Sequence, residues 1–295
     1  MKSFSADQVR RAVPMAEAIR AVRQAFFDLQ AGHFVLPPRE VFGDGKVLVM
    51  SAYHSPTNTA VVKTIGIDLD RVPAVQATVV WTGARGQVVA DGATLTTLRT
   101  GAVVGVATDL LARPGAIRLT LIGTGAQAAD QVHAVLAVRP IEHVTIVGRD
   151  LTRASTLAAV LAHDYAEVLF TAGTSIDEAI GDADVVCCAT SSSTPLFELS
   201  ALPERAHVNA IGAFRPSMCE LPLDLLADAS VVVVDQLEAA LAESGEIIDA
   251  LAAGLPVEPV ELGAALASPP APRGRTVFKS VGLAAQDWAV TSLLA

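Results

Sequence analysis

The sequence predicts an α/β protein of two domains, the second built on a doubly wound parallel sheet. From residue 117 onward, short apolar strand patterns alternate with helical patterns, which is typical of parallel strands covered by helices on both faces. Before residue 117, Val-rich strand patterns are separated by Gly, Pro, Asn and Asp, which indicates strands joined by turns. The chain has 295 residues, 52% of them hydrophobic, which is enough for two packed cores.

The predicted N-terminal domain begins with an amphipathic helix at 14–31, in which apolar residues recur at steps of three and four. Strands are predicted at 46–52, 60–66, 74–81 and 86–90, and residues 81–86 have the composition of a hairpin loop. A helix at 94–112 carries small residues on one side and ends at Arg113, Pro114 and Gly115. We therefore place the domain boundary after residue 113.

The second domain alternates strands and helices. Strands are predicted at 117–123, 143–148, 183–190, 206–212 and 230–235, and helices at 126–138, 151–163 and 236–244. A Pro-rich connector at 268–274 leads to a short extended piece and a last helix. We expect residues 1–113 and a returning segment, 272–295, to form an α+β domain, and residues 114–271 to form the parallel-sheet domain.

Composition and charge argue against several classes of protein. The formal net charge of −10 is unfavourable for a nucleic-acid partner, because phosphate backbones require a basic surface. The sequence shows neither a signal-peptide pattern nor an apolar stretch of about 18 residues, so we expect a cytoplasmic protein without a membrane partner. Cys187, Cys188 and Cys219 suggest buried thiols, and because no spacing resembles a zinc site, no metal is expected.

A glycine-rich turn follows the first strand of the second domain. Gly123, Gly125 and Ala128 form the pattern G-x-G-x-x-A between a strand and a helix. The first glycine permits a tight turn, the second lets the backbone approach a pyrophosphate, and the alanine lets the helix pack closely on the strand. Free N–H groups at the helix start favour an anion. The turn predicts a Rossmann-type dinucleotide site, although an ordinary structural turn has the same composition.

The end of the next strand bears on which dinucleotide binds. Arg149 follows that strand and Arg153 is nearby, and guanidinium groups suit the 2′-phosphate of NADP(H). Asp150 is interpreted as the N-cap of the helix at 151–163, although a carboxylate there is also able to bind the ribose of NAD. NADP(H) is therefore favoured over NAD(H).

Three cations of the first domain are candidates for binding an acidic substrate. Arg39 follows two prolines, Lys63 interrupts an apolar strand, and Arg99 lies within a helical pattern. A solvated surface charge is the competing interpretation of each. His54 is interpreted either as a proton donor or as an ordinary loop residue.

Several stretches together carry a resemblance to a known family over most of the chain. They are LPPRE, VVKTIG, DGATLTTLRTGA, LIGTGAQA, HVNAIGAFRPSMCEL and TVFKSVGLAAQD. On these stretches the sequence resembles the ornithine cyclodeaminase/μ-crystallin family. The resemblance implies a substrate domain, a Rossmann domain, a C-terminal segment that returns to the first domain, and a homodimer formed through the N-terminal domain.

The resemblance also implies roles for individual residues. Arg39, Lys63 and Arg99 match positions that bind the carboxylate of an amino or imino acid, and Lys63 and Arg99 are the catalytic candidates. It places the following residues near the cofactor: Thr100, Gly123, Thr124, Gly125, Ala126, Gln127, Arg149, Thr190 and Ser280.

Phe214 departs from the pattern of the deaminating members of that family. These members carry an aspartate for the substrate amine at this place, and a phenyl ring can neither accept a proton nor pair with an ammonium. The resemblance therefore implies reduction of Δ1-pyrroline-2-carboxylate or Δ1-piperideine-2-carboxylate with NAD(P)H, with Phe214 as an apolar wall for the substrate ring. Ornithine deamination, an alanine-dehydrogenase-like or N-alkyl amino acid dehydrogenase activity, and non-catalytic NADPH binding remain alternatives.

Overall fold

The computed structural model describes residues 1–68 and 75–295. The chain divides into two compact units, the first comprising Met1–Val103 with Leu283–Ala295 and the second Val104–Gly282. The strands of the described residues are β1 (Lys2–Phe4), β2 (Phe34–Val35), β3 (Glu40–Phe42), β4 (Val47–His54), β5 (Thr59–Ile67), β6 (Val75–Gly83), β7 (Gly86–Asp91), β8 (Arg118–Ile122), β9 (His143–Val147), β10 (Leu169–Gly173), β11 (Val185–Cys188), β12 (His207–Ala210), β13 (Val231–Val234), β14 (Val260–Glu261) and β15 (Thr276–Lys279). The α-helices are α1 (Ala6–Ala12), α2 (Met15–Gln30), α3 (Gly92–Leu111), α4 (Ala128–Leu136), α5 (Leu151–Asp164), α6 (Ile176–Ile180), α7 (Leu223–Asp228), α8 (Leu237–Glu243), α9 (Gly245–Ala252), α10 (Leu262–Ala267) and α11 (Ala284–Ser292).

The first unit is built on a mainly antiparallel sheet with the strand order β1-β7-β6-β5-β4-β2, and β3 also pairs with β4. Successive strands from β4 to β7 pair antiparallel. Helix α11 packs on β4, β5 and β6 and on α2, so the last helix covers the sheet formed early in the chain. The predicted helix and strands of this part agree with α2 and β4–β7, except that residue 74 of the strand predicted at 74–81 lies outside the described residues.

The second unit is built on parallel strands in the order β10-β9-β8-β11-β12-β15-β13-β14. β9 and β10 lie on one side of β8, whereas β11 and β12 lie on the other. The direction of winding therefore reverses between β8 and β11, which is where doubly wound sheets bind their ligands. The predicted α/β fold class is confirmed.

The strand β15 corrects the expected course of the C-terminal segment. All of 272–295 is expected from the sequence to belong to the first domain, but β15 pairs with both β12 and β13 in the sheet of the second unit. Only the part from Leu283 onward belongs to the first unit. The division between Val103 and Val104 also falls inside α3, ten residues before the predicted boundary, because compactness follows packing and not the Pro-Gly signal that ends the helix.

Two of the three cysteines agree with the expectation of buried thiols. Cys187, Cys188 and Cys219 are free thiols, and the first two are buried in β11. Burial raises the pKa of Cys187 to about 12, so this thiol is inert as a nucleophile at neutral pH. Within residues 1–68 and 75–295, no helix has the length and apolar character needed to cross a membrane.

Candidate functional site

The turn after β8 requires glycine at its first position. Gly123 has φ +118°, and a Cβ there would lie 2.4 Å from the carbonyl oxygen of Ala189. Its N–H donates to the carbonyl of Val147 at 2.8 Å. An L side chain would be strained at this φ and would clash with the backbone that follows β11. The backbone after β8 therefore lies directly against the backbone after β11.

The second glycine of the turn faces open space. A Cβ built on Gly125 would meet no atom within 4 Å, and Gly125 and Ala126 are exposed. Helix α4 begins two residues later at Ala128, which is fully buried against the sheet. The Oε1 atom of Gln127 is buried and has no hydrogen-bond partner among the described residues. An open cradle at a helix start, with an unsatisfied polar atom beside it, fits the pyrophosphate of a dinucleotide.

The segment after β9 provides two arginines and a helix cap. Arg149 is exposed, whereas the Arg153 guanidinium donates to the carbonyl of Thr124 at 3.2 Å. The Oδ1 atom of Asp150 accepts from the N–H groups of Thr152 and Arg153 at 2.9 and 3.3 Å. The interpretation of Asp150 as the N-cap of this helix is confirmed.

A buried carboxylate joins the loops that follow β11 and β12. The N–H and the hydroxyl of Thr190 donate to Oε1 of Glu220 at 2.6 and 2.9 Å. The N–H groups of Gly212 and Ala213 donate to Oε2 of Glu220 at 2.8 and 3.1 Å. Burial raises the pKa of Glu220, while Lys279 and these hydrogen bonds act in the opposite direction. Thr190, a predicted cofactor contact, thus has its hydroxyl bonded to Glu220.

Lys279 and Glu246 extend this arrangement below the two loops. Lys279 Nζ donates to the carbonyl of Ala213 at 2.6 Å and lies 3.3 Å from a carboxylate oxygen of Glu246. Oε1 of Glu246 accepts from the N–H of Glu220 at 2.9 Å. Lys279, Glu246 and Glu220 are all fully buried. We call these three residues the buried triad.

Ser280 and Phe214 also lie in the second unit. The hydroxyl of Ser280 donates to Oδ2 of Asp235 at 2.8 Å, and the same oxygen accepts from the N–H groups of Val281 and Gly282. Phe214 is half-buried, and the guanidinium carbon of Arg215 lies 5.5 Å from its ring centroid. Asp235 therefore fixes the backbone that leads into Leu283, and the predicted roles of Ser280 and Phe214 stay predictions.

The first unit brings cations together around one carboxylate. Lys63 Nζ lies 3.1 Å from Oδ1 of Asp287, and Arg99 Nε lies 3.7 Å from the same oxygen. The Arg99 guanidinium also donates to Oε1 of Gln286. The Lys63 and Asp287 side chains are 1% and 0% exposed. We call Arg39, Lys63, Arg99 and Asp287 the cation cluster.

Burial and neighbouring charges set the protonation of Lys63. The pKa of Lys63 is lowered from 10.5 to about 8. Burial is the largest cause, the cations Arg99 and Arg39 act in the same direction, and the Asp287 carboxylate acts in the opposite direction. Arg39 is half-buried on the loop after Pro37 and Pro38. The structure therefore places Arg39 within electrostatic range of Lys63, as a carboxylate-binding group requires.

Two other first-unit residues have local partners. The hydroxyl of Thr100 donates to the carbonyl of Thr96 at 2.7 Å within α3, so its predicted cofactor contact stays a prediction. His54 is buried at the end of β4, where Nδ1 lies 2.7 Å from Oγ1 of Thr57. Burial lowers the pKa of His54, and the nearby Asp28 raises it.

Gln286, Asp287 and the buried triad were not predicted as functional residues. The signal that the sequence offers for them is a polar or charged residue inside an apolar stretch, as in LAAQDW and VFKSV. A charge is buried only when it is paired. The partners here come from distant segments, so the pairing could not be inferred from spacing.

Comparisons with known proteins agree with this architecture. The model of the Ornithine cyclodeaminase/mu-crystallin family matches residues 3–294. A Delta(1)-pyrroline-2-carboxylate reductase of Bacillus cereus is 42% identical over 211 residues, which are 69% of this chain and 64% of that protein. The ketimine reductase mu-crystallin of Mus musculus is 32% identical over 255 residues, which are 83% of this chain and 78% of that protein.

A solved structure extends the likeness to the whole fold. It is that of Thermococcus litoralis Delta(1)-pyrroline-2-carboxylate reductase in complex with NADH and L-proline, with a TM-score of 0.92 and 27% identity. It covers 99% of this chain and 96% of that one, whereas the chain spans just under two thirds of the length of the Bacillus relative, at 64%. This chain belongs to the ornithine cyclodeaminase/mu-crystallin family.

Proposed function

We propose that this chain is an NAD(P)H-dependent imine reductase. Its substrate is Δ1-pyrroline-2-carboxylate or Δ1-piperideine-2-carboxylate, and its product is L-proline or L-pipecolate. The observation that carries the proposal is the cation cluster, in which Lys63 and Arg99 lie beside the Asp287 carboxylate and Arg39 acts electrostatically on Lys63. The names of the Bacillus and Thermococcus relatives, and the NADH and L-proline in the Thermococcus structure, support it.

Arg39 and Arg99 bind the substrate carboxylate in this proposal. A guanidinium presents paired N–H donors that match the two oxygens of a carboxylate. Arg99 is held by Gln286 and lies near Asp287, so its orientation is fixed before a substrate enters. The cluster carries three positive charges and one negative charge, which leaves an excess of positive charge. The carboxylate of a bound substrate reduces this excess.

Lys63 supplies the proton that reduction of an imine requires. The reduced nicotinamide supplies a hydride to the imine carbon when it is bound. The imine nitrogen gains the proton, and a lysine with a pKa of about 8 is largely protonated at neutral pH yet acidic enough to donate. Asp287 favours the ammonium form of Lys63 and orients its Nζ.

The turn after β8 and the arginines after β9 hold the dinucleotide in this proposal. Gly123 and Gly125 shape the cradle, with Thr124, Ala126 and Gln127 beside them, and Thr190, Ser280 and Thr100 are further proposed contacts. We propose NADP(H) over NAD(H), because Arg149 is exposed and the Asp150 carboxylate is bonded to the start of α5. A free ribose-binding carboxylate would have favoured NAD.

We also propose a homodimer formed through the sheet of the first unit. Val47, Tyr53 and Val62 lie on the same face of β4 and β5 and are 42%, 39% and 41% exposed. An apolar face of this kind is typical of an interface.

The free thiols support the proposed cytoplasmic location, because a reducing compartment keeps them unpaired.

One assay tests the function against its alternatives. Purified protein is mixed with NADPH or NADH and each imine acid, and oxidation of the cofactor is followed by absorbance. Parallel samples with ornithine and NAD are tested for ammonia, and samples with pyruvate and either ammonia or methylamine test an amino acid dehydrogenase. We expect oxidation with a cyclic imine acid and no ammonia from ornithine. Ammonia release without imine reduction would overturn the proposal, and cofactor binding without any turnover would favour a non-catalytic binder.

A further inference from the structure

A second group of chemically reactive side chains lies in the first unit, away from the cation cluster. Oδ1 of Asp28 lies 3.7 Å from Nδ1 of His33, and Oδ2 of Asp28 lies 3.4 Å from Nε2 of His54. One potential ligand atom from each residue lies within 4.8 Å of the other two. Two imidazoles and a carboxylate thus converge on one point.

These donors and distances suit a transition-metal ion. Zinc binds imidazole nitrogen and carboxylate oxygen at about 2.0–2.2 Å in tetrahedral geometry, which places neighbouring ligand atoms about 3.3–3.6 Å apart. The separations of 3.7 Å from His33 to Oδ1 of Asp28 and of 3.4 Å from His54 to Oδ2 of Asp28 are close to that spacing. We propose that Asp28, His33 and His54 bind a zinc ion, with water at the fourth position.

The environment of His54 favours a ligand role. Nε2 of His54 is buried and has no hydrogen bond of good geometry among the described residues, and it faces Asp28. Nδ1 of the same ring lies 2.7 Å from Oγ1 of Thr57, which itself lies 2.7 Å from Oγ1 of Thr59. A second hydrogen bond of this kind fixes the ring and the tautomer of a metal-ligating histidine. With Nδ1–H donating to Thr57, Nε2 presents its lone pair to the ion.

The position of the three ligands in the fold gives the ion a structural role. Asp28 lies in the last turn of α2, His33 in the following loop and His54 at the end of β4. An ion here ties the end of the helix to the end of the strand. In the β4–β5 pairing, Met50 lies opposite the catalytic candidate Lys63, and His54 lies opposite Thr59. The proposed zinc ligand His54 is therefore four residues along β4 from Met50.

A tryptophan provides a local reporter of the site. The His54 ring lies 4.4 Å from the ring of Trp288, and Trp288 Nε1 donates to Oγ1 of Thr59 at 2.8 Å. Binding of an ion to His54 changes the environment of this indole. Trp81 is the other tryptophan of the chain, so Trp288→Phe identifies which of the two responds.

The test titrates chelator-treated full-length protein with zinc in a calorimeter and follows tryptophan emission. We expect saturable binding of one ion per chain, a change in emission that Trp288→Phe removes, and a higher Tm in the presence of zinc. His33→Ala and Asp28→Asn each weaken binding by about tenfold or more. His163→Ala, an exposed histidine of α5, is the matched control and leaves binding unchanged.

Several results would overturn the proposal. They are the absence of saturable binding, equal affinity in the wild type and in His33→Ala, and loss of binding in His163→Ala. Thermal unfolding of each variant without zinc shows whether weaker binding comes from a missing ligand or from a less stable fold. His33→Ala disturbs the fold least, because the His33 side chain is exposed. Imine reduction in chelator-treated protein is measured independently, and its presence or absence does not bear on zinc binding.

Discussion

Lys63 Nζ lies 3.1 Å from Oδ1 of Asp287, although 224 positions separate the two residues in the sequence. This pair joins β5 to α11, and both side chains are excluded from solvent. Leaving one member of a buried ion pair without its partner costs about 3–5 kcal/mol. The C-terminal helix is therefore part of the proposed substrate site as well as a cover for the sheet.

The rate of imine reduction is expected to fall as the pH rises through about 8, because Lys63 loses its proton there. Asp287→Asn removes a charge that raises the pKa of Lys63, so the fall moves to lower pH. Lys63→Arg removes the titration from this range and flattens the profile. The measurement is kcat against pH, and an unshifted profile in Asp287→Asn would contradict the assignment of Lys63 as the proton donor.

Arg99→Ala is expected to raise KM for the imine acid and to lower kcat. Loss of a buried cation that binds a carboxylate costs about 2–4 kcal/mol in kcat/KM. Steady-state kinetics measure this effect. Arg20→Ala is the control, because Arg20 is exposed on α2 and forms an ion pair with the exposed side chain of Glu17. Equal kinetics for Arg99→Ala and the wild type would remove Arg99 from the substrate site.

Arg149→Ala is expected to raise KM for NADPH by about tenfold, because it removes one charge-assisted hydrogen bond to the cofactor. We expect little effect on KM for NADH. The exposed guanidinium would contact the 2′-phosphate, which NADH lacks. Arg118→Ala is the matched control, because Arg118 is an arginine of the second unit whose side chain is 42% exposed and pairs with Asp182. Equal effects of Arg149→Ala on both cofactors would contradict the proposed preference.

Gly123→Ala and Gly125→Ala are expected to act differently. Gly123→Ala is destabilising by about 1–3 kcal/mol, because it combines φ +118° with a clash at the Ala189 carbonyl. Gly125→Ala preserves the free energy of unfolding but weakens binding of the dinucleotide, because its methyl group enters the open cradle. Thermal unfolding and fluorescence titration with NADPH measure the two effects. Unchanged cofactor affinity in Gly125→Ala would show that the pyrophosphate binds elsewhere.

Lys279→Met is expected to destabilise the protein by about 3–5 kcal/mol, because it leaves Glu246 buried without a cation. The double variant Lys279→Met, Glu246→Gln removes both charges and recovers part of this loss. Chemical denaturation of the four proteins of this double-mutant cycle measures the coupling. Additive effects would show that the two residues do not interact.

Sequence patterns predicted most of the fold because the evidence for it is local. The strands β4–β9 and β11–β13 and the helices α2–α5 and α8 followed from local sequence patterns, and the Asp150 cap followed from its position before a helix. β15 escaped correct assignment because a four-residue apolar strand carries no information about which neighbours it pairs with.

The functional residues were harder to predict because their partners are distant in sequence. Lys63 and Arg99 were candidates from their sequence context and were given roles through the family resemblance, whereas Asp287 is recognised only when α11 lies on β5. None of the three ligands of the proposed zinc site was predicted as a metal ligand, although His54 was considered as a proton donor. Asp28, His33 and His54 come from a helix end, a loop and a strand end, so they form no fixed spacing motif.

The insertion of β15 between β12 and β13 has a consequence for biosynthesis. Both flanking strands are made before residue 276 leaves the ribosome, yet neither has its central neighbour until then. A nascent chain that ends earlier exposes two unpaired strand edges, which invite association with other chains. The second unit therefore completes its hydrogen-bonded sheet only after residues 276–279 have been made, and chaperone protection matters most before that point.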